Sequence, residues 1–358
     1  MCADDVIILL GAGASCDAKL ASSLEMTSRL EAQLKDGGDM SSFAGLYRAV
    51  KASILYGYAL DGRVDAKLNI EELVNVLNEL ELFKKHTIYP FVASWNMELM
   101  EYAGKNFCHI HDFKERIIEK LVSEWIFLEN NNQAEYYKGL YRFASTLGSC
   151  LRVFSLNYDM CVEYACGEDH VYRRFELDED GVRVWDDRNM QVDTVNESMM
   201  LYKLHGSLDW TRDNAGRLIC HDHVNVHQSP QQFELIFGTS NKMRYEDPYL
   251  FLLSQFRKYA LEAKVIICIG YSFGDAHINK ILQQVGKRKA PYIISVTGNC
   301  SNVVERQGCI GRTIDYAKSK SGDYKIRVVS GGAKEFLTKQ LSVPWVTQFM
   351  VDGPVVPF

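Results

Sequence analysis

Three polar clusters in the 358-residue chain carry side chains suited to chemistry. Asn157-Tyr158-Asp159 sets an amide and a carboxylate two residues apart, and His205-Gly206-Ser207 puts an imidazole beside a glycine. Gly270-Tyr271-Ser272-Phe273-Gly274-Asp275 adds a hydroxyl and a second carboxylate. An imidazole with its ordinary pKa of about 6.5 serves as a general base near neutral pH. A primary amide donates and accepts at once, so it can orient a hydroxyl or a water. Each residue also has a structural reading. Asn157, Asp159 and Asp275 suit helix caps, and a single histidine also serves as a satisfied core or surface residue.

Two further clusters are built from small residues. Gly11-Ala12-Gly13-Ala14-Ser15 follows five unbroken apolar residues, Val6–Leu10. Its glycines permit a tight turn and close approach of backbone to a ligand. A helix starting near Ser15 would aim free N–H groups at a phosphate. Gly238-Thr239-Ser240 follows another apolar run, Phe233–Phe237.

Holding such clusters together calls for a parallel sheet. Short branched apolar runs ended by glycine or small polar residues read as strands buried on both faces. They recur at Val6–Leu10, Leu151–Leu156, Leu201–Leu204, Phe233–Phe237, Val265–Ile269, Tyr292–Val296 and Tyr324–Val329. Ligands bind outside the carboxyl ends of strands in open α/β sheets, which is where the polar clusters fall. The expected fold is α/β, a Rossmann-like parallel sheet of about six to seven strands.

A large α-helical insertion is expected after the first strand and helix. Leu20, Leu24, Leu30 and Leu34 repeat at helical spacing. Asn69 and Glu72 form a capping-box pattern before Ile70, Leu73, Val74, Leu77 and Leu80. Phe113, Ile117, Leu121, Trp125 and Leu128 give another helical stripe, and Tyr137, Leu140, Tyr141 and Leu147 a third. Apolar and aromatic residues such as Phe91, Trp95 and Trp125 suit this insertion to assembly or gating. The expected organisation is a nucleotide-binding domain of residues 1–35 plus 148–341, the insertion 36–147, and a Pro-containing tail 342–358. Gly167–Ser198 reads as a hairpin or loop excursion holding Trp185.

A net charge of −6 gives no general reason to bind nucleic acid or an anionic membrane. No apolar run approaches the ~20 residues of a membrane span. The start, MCADD, lacks the basic region of a signal peptide. The ten cysteines include no CxxC pair, so structural zinc is not expected and reduced thiols in a cytoplasmic protein are. His221, His223 and His227 have a spacing compatible with a metal, but no cysteine or glutamate completes a ligand pattern, so they read as a polar loop. His109 and His111 read as loop residues, and Trp210 as a packing anchor.

The order GAGAS, NYD, HG, GTS resembles the sirtuin fold, and more closely the sirtuin-like NAD hydrolases of bacterial antiphage defence. GYSFGDAHIN, Gly270–Asn279, is especially similar to that branch. The resemblance covers roughly Val6–Leu34 and Leu151–Val329. It implies that Gly11, Ala12, Gly13 and Ser15 cradle phosphate, and that Asn157 and Asp159 hold the nicotinamide ribose and carboxamide. It makes His205 the catalytic histidine with Asn157 as its partner. Gly238, Thr239 and Ser240 then lie near ribose and phosphates, and Gly270, Ser272 and Asp275 close over the nucleotide. The chain lacks the Pro-Asp-Phe-Arg segment, the two CxxC pairs and the Phe-Gly-Glu of the protein deacylases.

What the resemblance implies is an NAD+ hydrolase that releases nicotinamide and ADP-ribose, an effector acting by NAD+ depletion. It implies a homo-oligomer with a partner such as a HerA-type ATPase or a short Argonaute, and no direct nucleic-acid or membrane contact. The alternative is a catalytically silent module that binds NAD or ADP-ribose and controls assembly. A deacylase or ADP-ribosyl transferase is a third reading, tested with an acyl-lysine substrate.

Overall fold

A computed structural model describes residues 5–82, 97–104, 107–185, 198–226, 229, 232–237, 246–298, 300–316, 318, 322 and 324–350. Gly238, Thr239, Ser240, His227, Phe91 and Trp95 lie outside the described residues. The chain divides into two compact units. One comprises Met1–Leu20, Leu128–Val224 and Arg244–Phe358; the other comprises Ala21–Phe127 and Asn225–Met243.

The first unit is built on a seven-stranded sheet. In chain order its strands are β1 (Val6–Leu10), β2 (Leu151–Ser155), β3 (Val171–Tyr172), β6 (Met199–Lys203), β9 (Val265–Ile269), β10 (Tyr292–Thr297) and β11 (Ile326–Ser330). A smaller antiparallel sheet holds β4 (Phe175–Leu177), β5 (Arg183–Trp185), β7 (Trp210–Arg212) and β8 (Leu218–Cys220). The large sheet runs β11-β10-β9-β1-β2-β6-β3, and every neighbouring pair is parallel.

Every residue of β1 is inaccessible to solvent, and its side chains alternate between two cores. Val6, Ile8 and Leu10 face Tyr137, Leu140, Phe143 and Phe336. Ile7 and Leu9 face Phe154, Phe256, Ile278 and Leu282. Each such aliphatic side chain contributes roughly 1.5–3 kcal/mol on burial. Helices cover both faces, which is why the central strands read as continuous apolar runs. The order reverses about β1: the chain passes to β2 on one side and later returns to β9 on the other. A reversal of strand order of this kind is where open α/β sheets bind ligands, outside the carboxyl ends of the strands.

Two elements differ from expectation. Phe233–Phe237 contributes no strand to the large sheet; only Leu235 forms a bridge, and the segment falls in the second unit. Glu234 interrupts its apolar run, and a strand buried on both faces pays heavily for an internal carboxylate. The seventh strand is Val171–Tyr172 at the sheet edge. No α-helix begins near Ser15 either. The chain makes two 3-10 turns, Ala12–Ala14 and Cys16–Ala18, ended by left-handed Lys19 (φ 67°). The first α-helix is Ser23–Gln33, whose Ser22 hydroxyl accepts from the Glu25 N–H at 3.3 Å.

The second unit is helical. Its helices include Ala44–Leu60, Ile70–Glu81 and Cys108–Lys120. Asn69 caps the second of these through the Glu71 N–H at 2.9 Å, and Ile70, Leu73, Val74 and Leu77 are buried. Among the described residues no helix is long and apolar enough to cross a membrane.

Candidate functional site

The turns after β1, β2, β6 and β9 meet at the carboxyl edge of the sheet. Backbone bonds continue past the strands and lock their turns in register. Gly11 N–H donates to Ile269 O (2.9 Å), Gly13 N–H to Gly270 O (3.0 Å), Leu156 N–H to Leu10 O (2.9 Å) and Leu204 N–H to Ser155 O (2.8 Å). The turns after β1 and β9 touch backbone to backbone. A Cβ on Gly11 would lie 2.7 Å from Tyr271 Cα, and one on Gly270 would lie 1.9 Å from Ala14 N. Gly270 also sits at φ +64°, in the left-handed region. These glycines are thus required by chain-to-chain approach, whatever they do for a ligand.

The Ser15 hydroxyl is the hub beneath. It donates to Asp159 Oδ2 at 2.7 Å. Having one hydrogen, it must accept from the other two partners: Asn157 Nδ2 at 3.2 Å and the Tyr137 hydroxyl at 2.9 Å. Its capacity is then full. Asn157 Nδ2 gives its second hydrogen to Gly11 O at 3.1 Å, so Oδ1 is the acceptor left for a ligand. Asp159 Oδ1 accepts from the Cys161 N–H at 3.0 Å and starts the helix Cys161–Cys166. In the β1 turn the N–H groups of Gly11, Gly13, Ala14 and Ser15 all donate within the protein. Ser15 and Asp159 therefore support the edge from below. Ala12 and Gly13 are half-buried, and Ser272 is exposed.

His205, at the end of β6, reaches Asp275 beyond β9. Its Nε2 lies 3.2 Å from Asp275 Oδ2. The other carboxylate oxygen, Oδ1, accepts from the N–H groups of His277 (2.9 Å) and Ile278 (3.2 Å), capping the helix Ala276–Arg288. The Tyr158 ring leans on the imidazole, centroids 6.3 Å apart. Asn157, Asp159, His205 and Asp275 are all buried, 5–8% exposed.

Behind this edge lies a buried charge cluster. Lys203, 2% exposed, donates to the Asp159 carbonyl and lies 3.3 Å from Glu163. Arg173 bridges Glu163 (3.5 Å) and Asp209 (2.5 Å). Burial pushes the Glu163 carboxyl above its ordinary range, against the pull of Lys203 and Arg173. Burial also acts upward on Asp209, but Arg173, Ser207 and Cys220 outweigh it and hold that carboxyl low. Burial drives the Cys220 and Cys161 thiols up, which keeps them protonated and inert.

Residues 151–302 match the family described as SIR2-like domain. This segment is similar to a SIR2-like domain over somewhat under half of the chain. It contains β2, β6, β9, Asn157, Asp159, His205 and Asp275, while the β1 turn precedes it. No curated protein matches the chain. Among solved structures, one similar chain is a Sir2 homolog–NAD complex, with 12% identity, TM-score 0.39, and 96% of this chain and 88% of that one covered. Another is a mutant Sir2 homologue in an ADP-ribose complex, with 13% identity, TM-score 0.40, and 93% and 89% covered.

Sequence reasoning missed the supports behind this edge. Lys203 carries a readable signal, a lysine inside a strand with both faces buried. Tyr137 lies within the expected insertion 36–147, and nothing local marks it as a partner of Ser15. Other candidates have local roles. His221 bonds the Thr211 hydroxyl at 2.7 Å, and Trp210 is a buried packing residue. Among the described residues no group of three His, Cys, Asp or Glu is placed to hold a metal.

Proposed function

We propose that the chain is an NAD+ hydrolase that cleaves the nicotinamide–ribose bond, releasing nicotinamide and ADP-ribose. The observation that supports this reading is that Asn157 and His205 follow adjacent parallel strands, β2 and β6, within the segment similar to the SIR2-like domain. Cleavage breaks the bond between ribose C1′ and the nicotinamide nitrogen, and the electron pair leaves with nicotinamide. Water adds to C1′, and His205 takes its proton directly or through a ribose hydroxyl. Asn157, its Nδ2 fixed by Gly11 and Ser15, offers Oδ1 to hold the sugar or the water.

Gly11, Ala12, Gly13 and Gly270 form the backbone floor for the nucleotide, with Ser272 at its rim. Ser15 and Asp159 hold that floor in shape. The resemblance also assigns Gly238, Thr239 and Ser240 to the ribose and phosphates. The biological role is NAD+ depletion in antiphage defence, in the cytoplasm, by an oligomer working with a HerA-type ATPase or a short Argonaute. That role rests on the family resemblance alone.

The test is incubation of the purified full chain with NAD+, followed by chromatography. Nicotinamide and ADP-ribose in equal amounts support the proposal. Bound, unconsumed NAD+ points to a silent module, and consumption only with an acyl-lysine peptide points to a deacylase.

A further inference from the structure

Asp275 makes two contacts that call for different properties. Oδ1 caps the helix Ala276–Arg288, a task that serine or asparagine performs as well. Oδ2 points to His205 Nε2 at 3.2 Å, a contact that a helix cap does not need. The two residues come from loops after β6 and β9, which are separated in the sheet by β1 and β2. Their loops therefore arch over the ends of two intervening strands to meet, and both side chains are nine-tenths buried or nearly so.

The geometry points to Asp275 as a positioning residue for His205, rather than a nucleotide ligand. It fixes the ring and places the imidazole proton on Nε2. This inference rests on the hydrolase reading above. An ionised carboxylate only accepts, so neutral His205 must present Nε2–H to it. Nδ1 is then left unprotonated, the form that a general base requires. The titratable side chains that meet the ring among the described residues are Asp275, from the turn after β9, and Tyr158, from the turn after β2. Tyr158 leans on the ring with tilted planes, so the carboxylate sets the rotation. The capping contact strengthens the arrangement. Two backbone N–H groups pin Oδ1, so the carboxylate cannot swing away without uncapping a 13-residue helix.

The experiment compares full-length wild type with Asp275→Asn and Asp275→Ser. Both variants keep a competent cap. Serine cannot span to the imidazole, and asparagine can present Nδ2–H to Nε2, which favours the opposite tautomer. Nicotinamide release is followed at varied NAD+, and ¹⁵N NMR of histidine-labelled protein reads the ring tautomer. The expected result is a fall in kcat of about 10²-fold in both variants, the lower end for a misplaced acid–base group. KM and Tm should stay near wild type. The NMR should show the Nε2–H form of His205 in wild type and its loss in Asp275→Asn.

Wild-type kcat in Asp275→Ser, or an Nδ1–H form in the wild type, overturns the inference. A parallel rise in KM with kcat unchanged also overturns it, because it makes Asp275 a ligand for the nucleotide. If the wild type releases no nicotinamide, the hydrolase reading fails by itself. The tautomer measurement still decides whether Asp275 sets the ring.

Discussion

Lys203→Met removes one charge from the interior and leaves a side chain of similar length. Wild-type Lys203 neutralises Glu163 at 3.3 Å and donates to the Asp159 carbonyl. The variant strands Glu163 with Arg173 alone, 3.5 Å away and already engaged by Asp209 at 2.5 Å. Breaking a buried pair by removing one partner typically costs about 3–5 kcal/mol. Arg173 still compensates part of the Glu163 charge, so the expected loss is near the lower end, about 3 kcal/mol. That is a large share of the roughly 5–15 kcal/mol that holds a folded protein together. Urea unfolding followed by circular dichroism measures it. The double variant Lys203→Met/Glu163→Gln should recover part of the loss, because no unpaired carboxylate remains. A loss under about 1 kcal/mol in the single variant, or a double variant worse than the sum of the singles, would refute the reasoning.

Three further outcomes are expected. Gly270→Ala forces a side chain into a left-handed backbone and against Ala14 N; the strain alone is about 1–3 kcal/mol, and a wild-type Tm in this variant would contradict the close packing of the two turns. Asp209 is held below its ordinary range when folded, so its contribution is present above the unfolded pKa and is lost as pH falls through the folded one. The stability advantage of wild type over Asp209→Asn should hold at neutral pH and shrink below about pH 3.8, the ordinary aspartate value, when denaturation is measured across that range. Tyr137→Phe removes one donor to Ser15 and should lower stability by about 1 kcal/mol in the same unfolding assay.

The parallel sheet is legible because its period is so plain. Val6–Leu10 and Val265–Ile269 are apolar throughout, as strands buried on both faces must be. The edge strand is not, since the two residues Val171 and Tyr172 carry no period at all. Phe233–Phe237 has the right composition, but nothing local tells a sheet strand from an apolar segment elsewhere. Asn157 and His205 are readable as strand-end polar residues, and the structure brings their segments to one edge. The Leu208 N–H donates to the Tyr158 carbonyl at 3.1 Å, tying the two turns. What the sequence hides is the division of labour. Ser15 reads as a phosphate contact, yet its hydroxyl is saturated by three partners 122 to 144 residues away. Asp275 reads either as a cap or as a ligand contact, and it proves to cap a helix and face His205 together. Such pairings depend on which loops arch over which strand ends, a matter of topology that no local pattern encodes.

The central claim is that His205 and Asn157 act together on the nicotinamide–ribose bond. The most direct measurement is the rate of nicotinamide release by wild type, His205→Ala, Asn157→Ala and the double variant, under conditions in which the wild type turns over. Loss of a positioned base should lower the rate by about 10²–10⁴-fold in His205→Ala. The double variant should be little slower than either single, because groups that act as a unit are not additive. A wild-type rate in His205→Ala would contradict the account, and so would two losses that simply multiply in the double variant.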